Sequence, residues 1–103
     1  MNKEELVSYI CEHNADTVLL QQLSEELSEA THAALKLSRK LEGKNPTPKT
    51  LEQCLSAFQE EVADVLLCLE VCKMRGLYSC DIVEHTVMSK LKRWKERLEA
   101  ING

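Results

Sequence analysis

Between Leu20 and Leu41 apolar side chains return at spacings of three and four: Leu20, Leu23, Leu27, Ala30, Ala34, Leu37 and Leu41. This is the stripe of a helix that packs lengthwise on another helix. The same rhythm resumes through Leu51, Leu55, Phe58, Val62, Val65, Leu69 and Cys72. Between the stripes lies Gly43-Lys44-Asn45-Pro46-Thr47-Pro48, a break that reads as the turn of an antiparallel hairpin.

Two further helices flank this pair. Leu6, Val7 and Ile10 form the apolar side of a short helix from about Glu4 to Glu12, broken at His13-Asn14. Asn14 reads as the N-cap of the long second helix, which runs to Glu42 and stops at Gly43. Thr47-Pro48 reads as N-cap and first residue of the third helix, with Thr50 and Gln53 as an alternative start. That helix extends to Arg75 and ends at Gly76. Leu66, Leu67 and Val71 lie off its stripe, so it is expected to be the central helix. Asp81 with Glu84 makes a capping box for the last helix, whose stripe is Val87, Leu91, Trp94, Leu98 and Ile101. The expected fold is all-α: an antiparallel bundle of about four helices in one domain, 1–103, completed by oligomerisation.

Acidic residues sit at a fixed offset from both stripes. Glu26 and Glu29 each precede a stripe residue by one position, and so do Glu61 and Asp64. Spacing of three places each pair on one helical face. The midpoint between the two pairs is Asn45, so a turn there sets them level with each other. With the two stripes facing, the offset carries both pairs to the same flank of the hairpin. Two carboxylates about 4 Å apart repel by roughly 4 kcal/mol at an effective dielectric near 20. Oxygen-only ligands with no His or Cys at matching positions suit Mg²⁺ or Mn²⁺, ions that commonly engage substrate phosphates as well.

Cations are placed where a polyphosphate would need them. Gln22 lies one turn before Glu26, and Lys36 lies further along the same edge, within reach of a metal-bound triphosphate. Lys90, Arg93 and Arg97 form a strip on the last helix. It is read either as phosphate contacts or as cations complementing the helix dipole. Phe58 and Trp94 are stripe residues, expected to pack in a core, with Trp94 the candidate for stacking on a base. His32 follows Glu29 at the spacing of a di-iron Glu-x-x-His motif, but the chain has no second copy of that motif.

Composition narrows the function classes. One Trp, two Tyr, one Phe and three Gly leave a chain dominated by helix formers. A formal charge of −4 weighs against non-specific nucleic-acid binding. The apolar run Val65 to Leu69 is bracketed by Asp64 and Glu70, so no membrane span is expected. Met1-Asn2-Lys3-Glu4-Glu5 lacks the layout of a signal peptide. Five cysteines, without a C-x-x-C pair, read as reduced thiols used as small hydrophobes, and a cytoplasmic location is expected.

Glu25-Glu26-x-x-Glu29, followed after the turn by Glu61-x-x-Asp64, resembles the signature of the MazG-like, all-α nucleoside triphosphate pyrophosphohydrolases, over roughly residues 17 to 98. The resemblance implies Mg²⁺-dependent hydrolysis of a nucleoside triphosphate, often deoxy or non-canonical, to the monophosphate and pyrophosphate. It implies that Glu26, Glu29, Glu61 and Asp64 ligate the metal and that Glu25 supports them or orients water. A later Lys-x-x-x-Asn-x-x-Arg strip of the family would fall on Lys90, Trp94 and Arg97, with Trp94 where Asn is common. It also implies a homodimer or homotetramer. The alternative from a different class is a non-catalytic helical module that binds a metal, a nucleotide or a protein partner.

Overall fold

The computed structural model describes residues 1–43 and 48–103. They form four helices, α1 (Lys3–Glu12), α2 (Asp16–Glu42), α3 (Leu51–Met74) and α4 (Cys80–Asn102). Among the described residues there is no strand, and no helix is long and apolar enough to cross a membrane. Asn45, the expected centre of the turn, and the Thr47 N-cap lie outside the described residues.

Local chemistry explains the helix boundaries. Asn2 and Glu5 cap α1 reciprocally, the Asn2 side chain accepting from Glu5 N–H at 2.8 Å. Asn14 does not cap α2 as expected; its side chain donates to Ile10 O at 2.9 Å and so satisfies the end of α1 instead. The N-cap of α2 is Ala15, which has no side-chain oxygen to offer, and Asp16 supplies the favourable charge in the first turn. α3 begins at Leu51 rather than at Pro48, because Thr50 and Gln53 form a complete capping box with bonds of 3.1 and 2.9 Å. Its end is a Schellman turn: Gly76 has φ +74°, Gly76 N–H donates to Lys73 O, and Leu77 N–H donates to Cys72 O. At α4 Ser79 replaces the expected Asp81 as N-cap, accepting from Ile82 N–H at 3.4 Å.

α2 and α3 pack lengthwise, and α1 packs on α3. Leu19, near the start of α2, clusters with Val71 and Cys72 near the end of α3, so the two helices are antiparallel. Cys11 of α1 completes this cluster, with Val7, Leu23, Leu77 and Tyr78 packed around it. The packed side of α1 is therefore Val7 and Cys11, while Leu6 and Ile10 are exposed. Cys72 is the most enclosed of these residues, at 2% exposure. All five cysteines are free and four are buried, matching their reading as small hydrophobes. Burial pushes the Cys68 and Cys72 thiols above the ordinary range, which keeps them neutral.

The expected stripes are enclosed only in part. Leu23, Ala30 and Leu37 of the α2 stripe and Phe58, Val65, Leu69 and Cys72 of the α3 stripe are buried or half-buried, as are Leu19, Glu26 and Ala33 on α2 and Cys54, Ala57, Glu61, Asp64, Cys68 and Val71 on α3. Leu20, Leu27 and Leu41 face outwards, as do Leu51, Leu55 and Val62. Small residues (Ala30, Ala33, Cys54, Ala57, Cys68) and larger ones (Leu19, Leu23, Leu37, Phe58, Val65, Leu69, Val71) alternate among the enclosed positions. The acidic pairs lie at the edge of the contact, with Glu26, Glu61 and Asp64 half-buried and Glu29 exposed.

The four helices do not form a closed bundle within one chain. α4 packs along none of the other three helices, and all its residues are exposed. Trp94, expected in a core, is 61% exposed, whereas Phe58 is half-buried. The radius of gyration is 17.5 Å, against about 13 Å for a compact domain of this length.

Arg75 ties the end of α3 to the α1–α2 junction. Its Nε and Nη2 each reach Asp16 Oδ1 at 2.8 Å, and its Nη1 donates to Cys11 O at 3.0 Å. Arg75→Met is expected to speed amide exchange in α1 and to lower stability by about 1 kcal/mol, modest because both partners are partly solvated. Unchanged exchange in α1 would show that the apolar cluster alone holds it.

Candidate metal and phosphate site

Glu26, Glu29, Glu61 and Asp64 come together between α2 and α3, each offering an oxygen, with all four oxygens within 4.8 Å of one another. The level placement inferred from the sequence is thus observed. Glu26, Glu61 and Asp64 are half-buried and Glu29 is exposed.

The bonding within the group is incomplete. Glu26 Oε1 accepts from Gln22 Nε2 at 2.8 Å, which gives Gln22 a positioning contact on the carboxylate. Glu26 Oε2 and Glu61 Oε2 are both shut off from solvent and have no hydrogen-bond partner. Buried carboxylate oxygens are normally satisfied, so these two mark a place where a cation fits. Burial, together with the charges of Glu29 and Asp64, pushes the Glu26 carboxyl above the usual range. The Gln22 bond opposes this only in part. All four donors are hard oxygens, the set that suits Mg²⁺ or Mn²⁺. Burial, with the charge of Glu26, pushes the thiol of Cys68, one turn beyond Asp64, above its ordinary range.

A cavity of about 400 Å³ adjoins the carboxylates, within the size range of small-molecule sites. Glu29, His32, Ala33 and Lys36 line it from α2; Cys54, Ala57 and Glu61 line it from α3, and Lys49 lines it from the segment just before. Lys36 therefore lies where its position on the α2 edge indicated. His32, Lys49 and Cys54 were not among the expected site residues. His32 follows Glu29 by one turn, and that spacing was a usable signal for the shared face. Lys49 belongs to no periodic element, so no spacing pointed to it.

Other expected site residues are placed elsewhere. Glu25 is exposed and outside the group of four. Lys90, Arg93, Trp94 and Arg97 lie on α4, which the chain does not bring against α2 or α3, and none of them lines the cavity. No protein-family model, curated protein or solved structure matches the chain.

Because the Glu26 carboxyl holds its proton more tightly in the folded chain, its ionised form opposes folding when no metal is present. In EDTA at neutral pH, Glu26→Gln should raise the melting midpoint by about a few degrees while keeping an acceptor for Gln22. The gain should be full above the raised Glu26 pKa, shrink as pH falls through it, and vanish below the ordinary carboxylate range. A lowered midpoint at neutral pH would mean that the carboxylates are not held against repulsion.

Proposed function

We propose that this protein is a Mg²⁺-dependent nucleoside triphosphate pyrophosphohydrolase of the MazG-like, all-α class. Its substrate would be a nucleoside triphosphate, deoxy or non-canonical, cleaved to the monophosphate and pyrophosphate. The observation that carries this reading is the group of four oxygen donors with two buried, unpartnered oxygens, opening onto a cavity that bears lysines.

Glu26, Glu29, Glu61 and Asp64 would hold the ion. A bound Mg²⁺ would supply charge neutralisation at phosphate oxygens and favour ionisation of water, the chemistry that phosphoanhydride hydrolysis needs. Gln22 fixes the orientation of Glu26 through its 2.8 Å bond. Lys36 would offset phosphate charge at the edge of the site. Glu25, next to Glu26 in sequence, is assigned the orienting of water by the family resemblance alone.

The exposed apolar residues of α4, with Ile101 at 79% and Trp94 at 61%, form a face that its own chain leaves bare. Leu66 and Leu67 leave a second bare surface on α3. Surfaces of this kind mark interfaces. The occupant that fits is a second copy of the chain, which offers matching apolar surface in a homodimer or homotetramer.

The deciding experiment is pyrophosphate release from a panel of nucleoside and deoxynucleoside triphosphates with Mg²⁺. Turnover of at least one substrate is expected, with loss of about a hundredfold or more in Glu61→Gln and Asp64→Asn at unchanged helicity. A flat panel, with no thermal stabilisation by Mg²⁺, would favour a non-catalytic helical module. For assembly, Leu91→Glu should lower the sedimenting mass of the native species without loss of helix. An unchanged mass would remove α4 from the interface.

A further inference from the structure

Two of the buried thiols meet where α1 packs on α3. Cys11 and Cys72 belong to the same apolar cluster and are 6% and 2% exposed. The Cys11 thiol donates to Val71 O at 3.5 Å, so its sulfur lies against the peptide group from which Cys72 begins. Arg75 Nη1, bonded to Cys11 O at 3.0 Å, holds α1 in that register. Burial and then the charge of Cys11 push the Cys72 thiol upwards, as a neighbouring sulfur does.

No other cysteine is placed to compete. A disulfide needs β-carbons roughly 4 Å apart. Cys68 and Cys72 stand one turn apart on one helix, where β-carbons are about 5–6 Å apart. Cys54 is near the start of α3 and Cys72 near its end. Cys80 is exposed beyond the Gly76 turn, and its thiol donates to Glu84 at 3.6 Å.

We propose that Cys11 and Cys72 form a reversible disulfide in the folded chain, a modification site for peroxides that clamps α1 to α3. Peroxide reaches Cys11 first, because α1 is a short helix whose Leu6 and Ile10 side is uncovered. The Cys11 sulfur attacks a peroxide oxygen, which gives a sulfenic acid and, with the thiol proton, a first water. Cys72 then attacks the sulfenic sulfur, and the departing hydroxide takes up the Cys72 proton as a second water. Two thiols and one hydrogen peroxide become one disulfide and two waters, and a thiol reductant reverses the bond. The loop closed in this way contains Glu26, Glu29, Glu61 and Asp64. The disulfide draws nothing from the metal site, so it is tested independently of the hydrolase reading.

The test is oxidation of the native full-length chain with hydrogen peroxide, then unfolding, alkylation of the remaining thiols and peptide mapping without reductant. Three of the five cysteines should alkylate, with a linked Cys11–Cys72 peptide recovered. The melting midpoint should rise by about 5 °C or more and return to its starting value in dithiothreitol. Cys80→Ser should leave the linked peptide unchanged, and Cys11→Ser should leave Cys72 open to alkylation. The proposal is overturned if all five thiols alkylate after peroxide, if oxidation stops at Cys80, or if Cys72 is recovered linked to another cysteine. A midpoint that fails to rise on linking overturns the clamp, as does a linked peptide that forms no more readily in the native chain than in urea.

Discussion

Four carboxylates forced together between two helices are the constraint on which the rest of this structure depends. Glu26, Glu29, Glu61 and Asp64 hold oxygens within 4.8 Å of one another, and two of the buried oxygens lack any partner. Left to itself such a group would push α2 and α3 apart. The helices are held on both sides of it. Towards one end lie Leu19, Val71, Cys72 and Cys11, reinforced by Arg75 across the α1–α2 junction. Towards the other, Ala33 and Cys54 are buried in the contact. Repulsion in the middle is offset by apolar packing at the ends, a strain that natural proteins retain mainly where a site needs it.

Small and large residues share the contact. Ala30, Ala33 and Ala57 are enclosed beside the carboxylates, while Leu19, Leu23, Leu37 and Leu69 are enclosed elsewhere along the two helices. Leu20, Leu27, Leu41, Leu66 and Leu67 are exposed, and together with α4 they leave a large apolar surface bare.

Much of the fold was legible from the chain. The four helices, the left-handed glycine at Gly43 and the stop at Gly76 all follow from local chemistry, and at α3 the alternative start, the Thr50–Gln53 capping box, prevails over a first residue at Pro48. Local rules misled where two residues competed for one role. Asn14 bonds backwards to α1 instead of starting α2, and Ser79 precedes Asp81 as a cap. The level placement of the two acidic pairs was legible as well, because it depends only on distance from the turn along the chain. The cavity was not, since Lys49 and Cys54 approach Lys36 only after the chain has folded back.

The sequence by itself determined that there are four helices, where α2 and α3 stop, and that Glu26, Glu29, Glu61 and Asp64 stand at one level, since spacing and glycine stops act over a few residues. Only the tertiary structure decided which faces meet. Stripe spacing tolerates a rotation of one residue position, and the choice between neighbouring faces turns on contacts between residues far apart in the chain. Here those contacts leave Leu20, Leu27 and Leu41 exposed, the carboxylates at the edge of the α2–α3 contact, and α4 packed along no other helix of its own chain.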